Sequence, residues 1–416
     1  MERKNRLVDV FTIYLFMLPY FMPRIFNINA TMSKLYFIWE IFSIGCSFLM
    51  VLYYVSSRGK RRFSAFVYVV VIYKFLGIGS AFLNNKISTN FLLNSFALIS
   101  IAILCVYLIK KDKVIFVKCM LFCCEVIIFM NNISFFIIGD NTGYTDAAGN
   151  IIYFWNTKNH LASIYMLTLV LADIENGISI KDKDKFSRLF LYANVIFGII
   201  IYRSSTLIIG AVVYVGIWFV IKWFPKLYKP VTFCAVSLAI QILVVFFGVQ
   251  KYFSWLIEGA LNKNLTLSSR TIVWEDAMNL ISQKPIIGYG TGGIIPAFWN
   301  TRYTIPAHNL IMEIIITSGC VGLIFAVAMF IMTISRIDKN KMFRADKALT
   351  CAMVSFSIMM IVESVSPFEP WYVVMSLAVA IESINSEYVN KDLITKRRIQ
   401  DNKKNWNGSI TKWRKT

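Results

Sequence analysis

The positive charges of this chain are spaced in a way that few folds allow. Twelve apolar stretches can be marked, at roughly 9–25, 35–55, 63–83, 91–109, 114–138, 160–173, 186–202, 205–221, 231–249, 308–334, 348–363 and 371–384. Between them, Lys and Arg alternate between dense and sparse. Segments 1–8, 56–62, 110–113, 173–188, 222–230, 335–347 and the tail after 384 carry 3, 4, 3, 4, 3, 5 and 9. The intervening segments carry 2, 1, 1, 1, 5 and 0. Cytoplasmic loops of membrane proteins collect Lys and Arg. The alternation therefore predicts an all-α polytopic membrane protein with about twelve transmembrane helices and both termini in the cytoplasm. It predicts one membrane domain over 1–384 and a basic cytoplasmic tail over 385–416. Segments 139–159 and 250–307 become outward loops, the second a large extracytoplasmic loop before the tenth span.

Composition agrees. Hydrophobic residues make up 57% of the chain and charged residues only 16%, where soluble domains are nearer a quarter charged. Most apolar runs have the length a bilayer core requires. The net charge of +20 is mainly this positive-inside pattern, so no nucleic-acid partner is expected. The tail, with Trp406 and Trp413, suits an anionic cytoplasmic leaflet. The basic start and apolar run of the N-terminus lack a small-residue cleavage site, which predicts a retained first span. Eight cysteines fall inside apolar stretches, and Cys119, Cys123 and Cys124 have no His or carboxylate at zinc spacing; no metal or other cofactor is expected. Lys74 and Glu125 lie at matching depths in the third and fifth stretches, which predicts a contact between them near the midplane.

The long outward loop contains RTIVWEDAMNLISQK from Arg270, with apolar residues at 273, 274, 277, 278, 280 and 281. This spacing predicts a helix with one wet face lying along the outer membrane surface. Gly288, Gly290 and Gly293 match G-x-G-x-x-G, but a helix precedes them and Pro296 follows. A dinucleotide site needs a strand before and a helix after, so a flexible turn is the reading. The chain has two histidines, His160 and His308, both at predicted outer ends of spans. Arg203 sits in the very short outward turn between the seventh and eighth spans, and Arg270 and Arg302 sit in the large loop. Two arginines offer forked donors for a pyrophosphate. A neutral imidazole can take a proton from a hydroxyl. Taken singly, Arg203 more readily snorkels to headgroups, and His308 can equally open a helix.

Three pieces resemble, in order, the signature of the O-antigen ligase/polymerase superfamily, which groups Wzy-type polymerases with WaaL-type ligases. They are SSRTIVWEDAMNLISQKPIIGYGTGG, the loop after it, and AHNLIMEIIITSGCVGLIFAV. Arg270, Trp274, Pro285, Gly288, Gly290, His308, Asn309, Glu313, Gly319 and Gly322 stand at the motif positions. Upstream, WNTKNHLASIYML is similar to the family's Asn-x-Asn segment through Asn159 and Leu161, and YRSSTLIIGAVV to its Ser-Arg segment through Arg203 and Ser204. Members often read Ser-Arg-Gly where this chain reads Arg-Ser-Ser-Thr.

The resemblance implies a GT-C-like helical arrangement in the bacterial cytoplasmic (inner) membrane. It implies a metal-independent, inverting glycosyltransferase acting on an undecaprenyl-diphosphate-linked oligosaccharide at the outer face. Arg203, Arg270 and His308 take the essential Arg, Arg and His positions. Glu313, Asn309, Arg302, Asn159 and Trp274 become substrate-binding candidates, with Glu313 either orienting His308, contacting the acceptor or pairing with Asn309. Membrane lipid, a flippase and a chain-length regulator are the implied partners. The expected activity is polymerisation of repeat units for a capsule, exopolysaccharide or O-antigen. The Lys-, Asn-, Ile- and Phe-rich composition, which points to an AT-rich genome, leans the same way. The alternatives are a ligase moving finished polymer to an acceptor and a lipid-linked-glycan flippase without chemistry. A flippase would show cavity charges and internal repeats; the charges here cluster at outer ends, and no repeat is visible.

Overall fold

A computed structural model describes residues 2–17, 20–21, 23–27, 32–56, 64–139, 144–145, 150–178, 185–247, 270–290, 306–340, 343–363 and 369–387. The elements are α1 (Glu2–Met17), α2 (Met32–Ser56), α3 (Ala65–Leu83), α4 (Thr89–Ile138), α5 (Lys158–Ile178), α6 (Lys185–Tyr202), α7 (Ser205–Trp223), α8 (Pro230–Phe247), α9 (Arg270–Gln283), α10 (Leu310–Asn340), α11 (Arg344–Met359) and α12 (Glu369–Val379). Among the described residues there are no named strands, only the isolated bridges Thr145–Ile151 and Ile152–Thr157. Six of these helices are long and apolar enough to cross a membrane: α3, most of α4, α5, α7, α8 and α10. Shorter apolar helices run over Phe186–Tyr202 and Pro370–Val379. Each apolar stretch read from the sequence overlaps a helix among the described residues, 91–109 and 114–138 sharing the single helix α4. The basic tail beyond 387, Arg302, and Gly293 with Pro296 lie outside the described residues.

Two stretches differ from expectation for physical reasons. The segment Lys110–Lys113 is not a loop of any length. Asp112 alone leaves helical geometry (φ −153°, ψ 95°), and α4 continues on both sides. Its carboxylate accepts from Ile115 N at 2.9 Å, so it caps the second arm. The sixth stretch, expected to stop at Asp173, continues as helix to Ile178. Asp173 is tolerated inside because Arg344 donates to it at 2.6 Å and Tyr214 Oη at 2.8 Å. A buried carboxylate with such partners no longer marks a helix end. The Arg344 guanidinium also lies 5.4 Å from the Trp218 ring, so this cluster joins α5, α7 and α11. The expected Lys74–Glu125 contact is not formed. The Lys74 ammonium lies instead over the rings of Tyr73 and Tyr372, 5.0 and 5.7 Å from their centroids.

α5 is the most enclosed of the six long apolar helices, packed by α4, α7, α11 and α12. α10 packs along α3 and carries a break at Gly319 (φ 66°, ψ −171°). At that break the turn after α9 is stitched into the helix. Tyr289 N donates to Ile316 O at 2.7 Å and Gly290 N to Thr317 O at 2.9 Å. In return Cys320 N donates to Pro285 O at 2.8 Å and Val321 N to Ile286 O at 3.3 Å. The helix thus loses its own bonds at the kink and regains them from the turn. The end of α3 braces the same joint, through Asn84 Nδ2 donating to Gly288 O at 3.1 Å and Lys284 Nζ donating to Asn84 Oδ1. Gly288 and Gly290 are therefore not a flexible turn. Both have positive φ, and a Cβ on Gly290 would overlap Ala81 of α3.

A Cβ on Gly319 would overlap the carbonyl of Ile286, in a backbone region that side chains rarely adopt. Gly319→Ala should lower stability by about 4 kcal/mol or more. The measurement is thermal unfolding of the purified protein. Gly79→Ala, where nothing lies within 4 Å of the added Cβ, should leave Tm unchanged or slightly higher. Equal melting of the two variants would show that the joint tolerates side chains.

Candidate functional site

The stitched joint places α9 against the head of α10, and the side chains expected to act gather where the two begin. Val273, Trp274 and Ala277 of α9 pack with Ala307, Met312 and Ile316, and with Ile361 beyond α11. Trp274 Nε1 donates to Ala307 O at 3.1 Å, which pins the residue before His308. From the other side Glu313 accepts the Ala307 N–H at 2.8 Å. Asn309 caps α10 by accepting from Met312 N at 3.1 Å, and its amide donates to Ile361 O at 3.2 Å. His308, held between these anchors, has φ +50°. A bulky residue in that region is strained and persists only where its surroundings impose it. Trp274 and Asn309 are buried and spend their polar groups on backbone, so they position the site. Glu313 lies along its wall.

Arg270 sits one turn before Trp274 on α9. Its Nη2 donates to Glu363 Oε1 at 2.8 Å, and the other oxygen, Oε2, stands 3.5 Å from His308 Nδ1. The second contact is electrostatic rather than a directed hydrogen bond. One carboxylate thus bridges the arginine and the histidine. The side chains of Arg270, Glu363 and His308 are 17%, 9% and 29% exposed, so the imidazole is the member most open to solvent. Burial pushes the Glu363 carboxyl up, but His308, Arg270 and His160 outweigh it and hold the group below its ordinary value. Burial lowers the Arg270 guanidinium, and Glu363 counteracts that. Glu363 was not among the candidates read from the sequence. Its signal was available: an acidic residue ending the eleventh apolar stretch, next to a segment with no Lys or Arg.

Arg203 also has φ +46° and is exposed, in the short link between α6 and α7. Its neighbours are fastened on both sides. Tyr202 Oη donates to Asn131 O at 2.6 Å and accepts from Asn131 Nδ2 at 2.7 Å. Ser204 caps α7, accepting from Leu207 N, and its hydroxyl donates to Asn159 Oδ1 at 3.3 Å. Asn159 precedes His160, which lines a cavity of about 260 Å³ together with His308, Glu313 and Glu363. The structure therefore unites Arg270, His308 and Glu313 around Glu363. Arg203 and Asn159 are not among the residues lining that cavity, and Arg203 makes no ion pair with its carboxylates among the described residues. Thr317 and Ser318 of α10, Asn94 and Ser95 of α4, and Lys74 of α3 complete the polar lining. Among the described residues no three His, Cys, Asp or Glu side chains are grouped to hold a metal ion.

These features define a multi-pass helical membrane protein with a partly buried Arg–Glu–His group opening on a polar cavity. The family comparison carries the assignment further. A family model described as O-antigen ligase matches residues 189–327, and the match supports the O-antigen ligase/polymerase superfamily. It spans Arg203, Arg270, Trp274, His308 and Glu313 and stops short of Glu363. No curated protein matches the chain.

Because its pKa is depressed in the folded protein, Glu363 stabilises the fold above its unfolded pKa of about 4.3, and that contribution fades as pH falls through the lower folded value. Glu363→Gln should therefore lower Tm at pH 7, and the gap to wild type should narrow as pH falls below the unfolded value and through the lower folded one. A gap independent of pH would mean that Glu363 acts through packing alone.

Proposed function

We propose that this protein is a metal-independent glycosyltransferase that joins undecaprenyl-diphosphate-linked oligosaccharide repeat units at the outer face of the bacterial cytoplasmic membrane. The observation that carries the reading is Glu363 bridging Arg270 and His308, beside a cavity lined by hydroxyls and amides. In this reading α4 crosses twice, the shorter helices complete twelve crossings in a GT-C-like arrangement, and both termini are cytoplasmic. The arrangement of Lys and Arg supports that orientation.

The acceptor hydroxyl attacks the anomeric carbon of the lipid-linked glycan. A carbon–oxygen bond to the sugar forms, the bond from that carbon to the diphosphate oxygen breaks, and the diphosphate leaves with the electron pair. Glu363 beside Nδ1 keeps the His308 proton on that nitrogen and leaves Nε2 to accept the proton of the acceptor, the logic of a carboxylate-oriented imidazole. Arg270 gives one donor to Glu363 and keeps others for phosphate oxygens, since a guanidinium carries five N–H groups. Arg203, exposed and next to Ser204, which is bonded to Asn159, supplies the second fork. Charge preorganised in this way is worth several kcal/mol in a transition state. An apolar groove of about 600 Å³ between α8, α10, α11 and α12 shares Tyr73 with the polar cavity. It suits the polyprenyl chain of such a donor, with the sugar in the neighbouring cavity.

A second reading is a ligase that moves finished polymer from the lipid to an acceptor; the description of the matching family favours it. The gel profile of lipid-linked and surface glycan in cells carrying His308→Ala separates the two. Single repeat units in place of polymer are the expected result. Long polymer left on the carrier would make the protein a ligase. An unchanged profile at normal expression would overturn both.

A further inference from the structure

Lys74 lines the polar cavity but has no part in the reaction as written. It lies ten residues before Asn84, roughly 15 Å along α3 from the stitched joint. A cation at that depth is costly unless something offsets it. Its ammonium rests over the Tyr73 and Tyr372 rings, and among the described residues it makes no ion pair. The two carboxylates of the cavity are engaged elsewhere, Glu313 by Ala307 N and Glu363 by Arg270. The ammonium is therefore held in place by aromatic faces, with no carboxylate paired to it among the described residues. Around it stand Asn94, Ser95, Thr317 and Ser318, the kinds of group that hydrogen-bond sugar hydroxyls.

We propose that Lys74 forms an anion subsite at the floor of this cavity, and that the glycan entering it carries an acidic group, a carboxylate or a phosphate substituent on a sugar. The proposal rests on the glycosyltransferase reading and names its substrate class. A lipid-carrier phosphate has the same chemistry. The glycan is favoured because Lys74 lines the polar cavity and not the apolar groove.

Mass spectrometry of the repeat unit from wild-type cells should find at least one acidic sugar or phosphorylated sugar. A neutral repeat unit overturns the subsite without any variant having to fold. In cells, Lys74→Met at wild-type abundance and Tm should cut polymer yield about tenfold or more, the size of one lost charge-assisted hydrogen bond. Lys74→Arg should retain most of it. Yield unchanged in Lys74→Met overturns the proposal, as does an equal loss in both variants. Binding of sugar-free undecaprenyl diphosphate to the purified protein should be the same for wild type and Lys74→Met. A loss there would assign the anion to the lipid and overturn the glycan subsite. An unaltered glycan in His308→Ala cells sinks the underlying reading instead, so the two failures are distinguishable.

Discussion

Within a bilayer a helix cannot leave backbone groups unpaired, because lipid offers no replacement for water. α10 breaks at Gly319 and would expose carbonyls on one side of the kink and amides on the other. The turn 285–290 answers both, accepting from Cys320 and Val321 and donating to Ile316 and Thr317. This exchange couples two elements that chain connectivity leaves far apart. Arg270 begins the helix that leads into the turn, and His308 directly precedes the helix that the turn repairs. Their separation is therefore set by backbone hydrogen bonds, which tolerate little displacement. The third member follows through Asn309, whose amide holds Ile361 two residues before Glu363.

That precision matters because the Arg270–Glu363 pair is largely buried. Taking both charges out of water costs several kcal/mol per ion, and their attraction offsets the cost only when the geometry is good. A 2.8 Å contact meets that condition for Arg270. The 3.5 Å approach of His308 is looser and leaves the imidazole partly exposed. The carboxylate therefore fixes the arginine firmly and biases the histidine without immobilising it. In the proposed reaction, a base that must approach a hydroxyl and then release a proton would be served by that difference.

The parts of the fold visible in the sequence are those that depend on local pattern. The apolar stretches overlap helices, and the 3.6-residue spacing around Trp274 marked α9. What the sequence hid depends on contacts between distant residues. The glycines at 288 and 290 look like slack in a chain; only their neighbours, Ile316 and Ala81, show that there is no room for a side chain. Asp173 looked like the end of a span because its partners, Tyr214 and Arg344, lie on other helices. Matching depth suggested that Lys74 meets Glu125, yet depth says nothing of rotation about each helix axis, and α3 turns Lys74 toward Tyr372. For the site, Arg270 and His308 were legible through the motif around them. Glu363 lies past the end of the matched segment, and the reason it is needed, a buried guanidinium beside an imidazole, appears only when those two are brought together.

The two arginines differ in a way that bears on how the proposed site is completed. Arg270 is held by Glu363 before any ligand arrives, so its contribution to phosphate binding carries little further ordering cost. Arg203 is fixed at its backbone by Tyr202 and Ser204 but exposed at its side chain. In the proposed reaction its guanidinium would lose rotamer freedom only when an anion draws it in, and among the described residues it pairs with no carboxylate that would compete. An arginine already committed to a carboxylate gains less from a diphosphate than one that is free, because part of its charge is already neutralised. In the proposed reaction Arg203 is therefore the member that would respond most to the arrival of a diphosphate, while Arg270 and Glu363 hold the geometry it responds to.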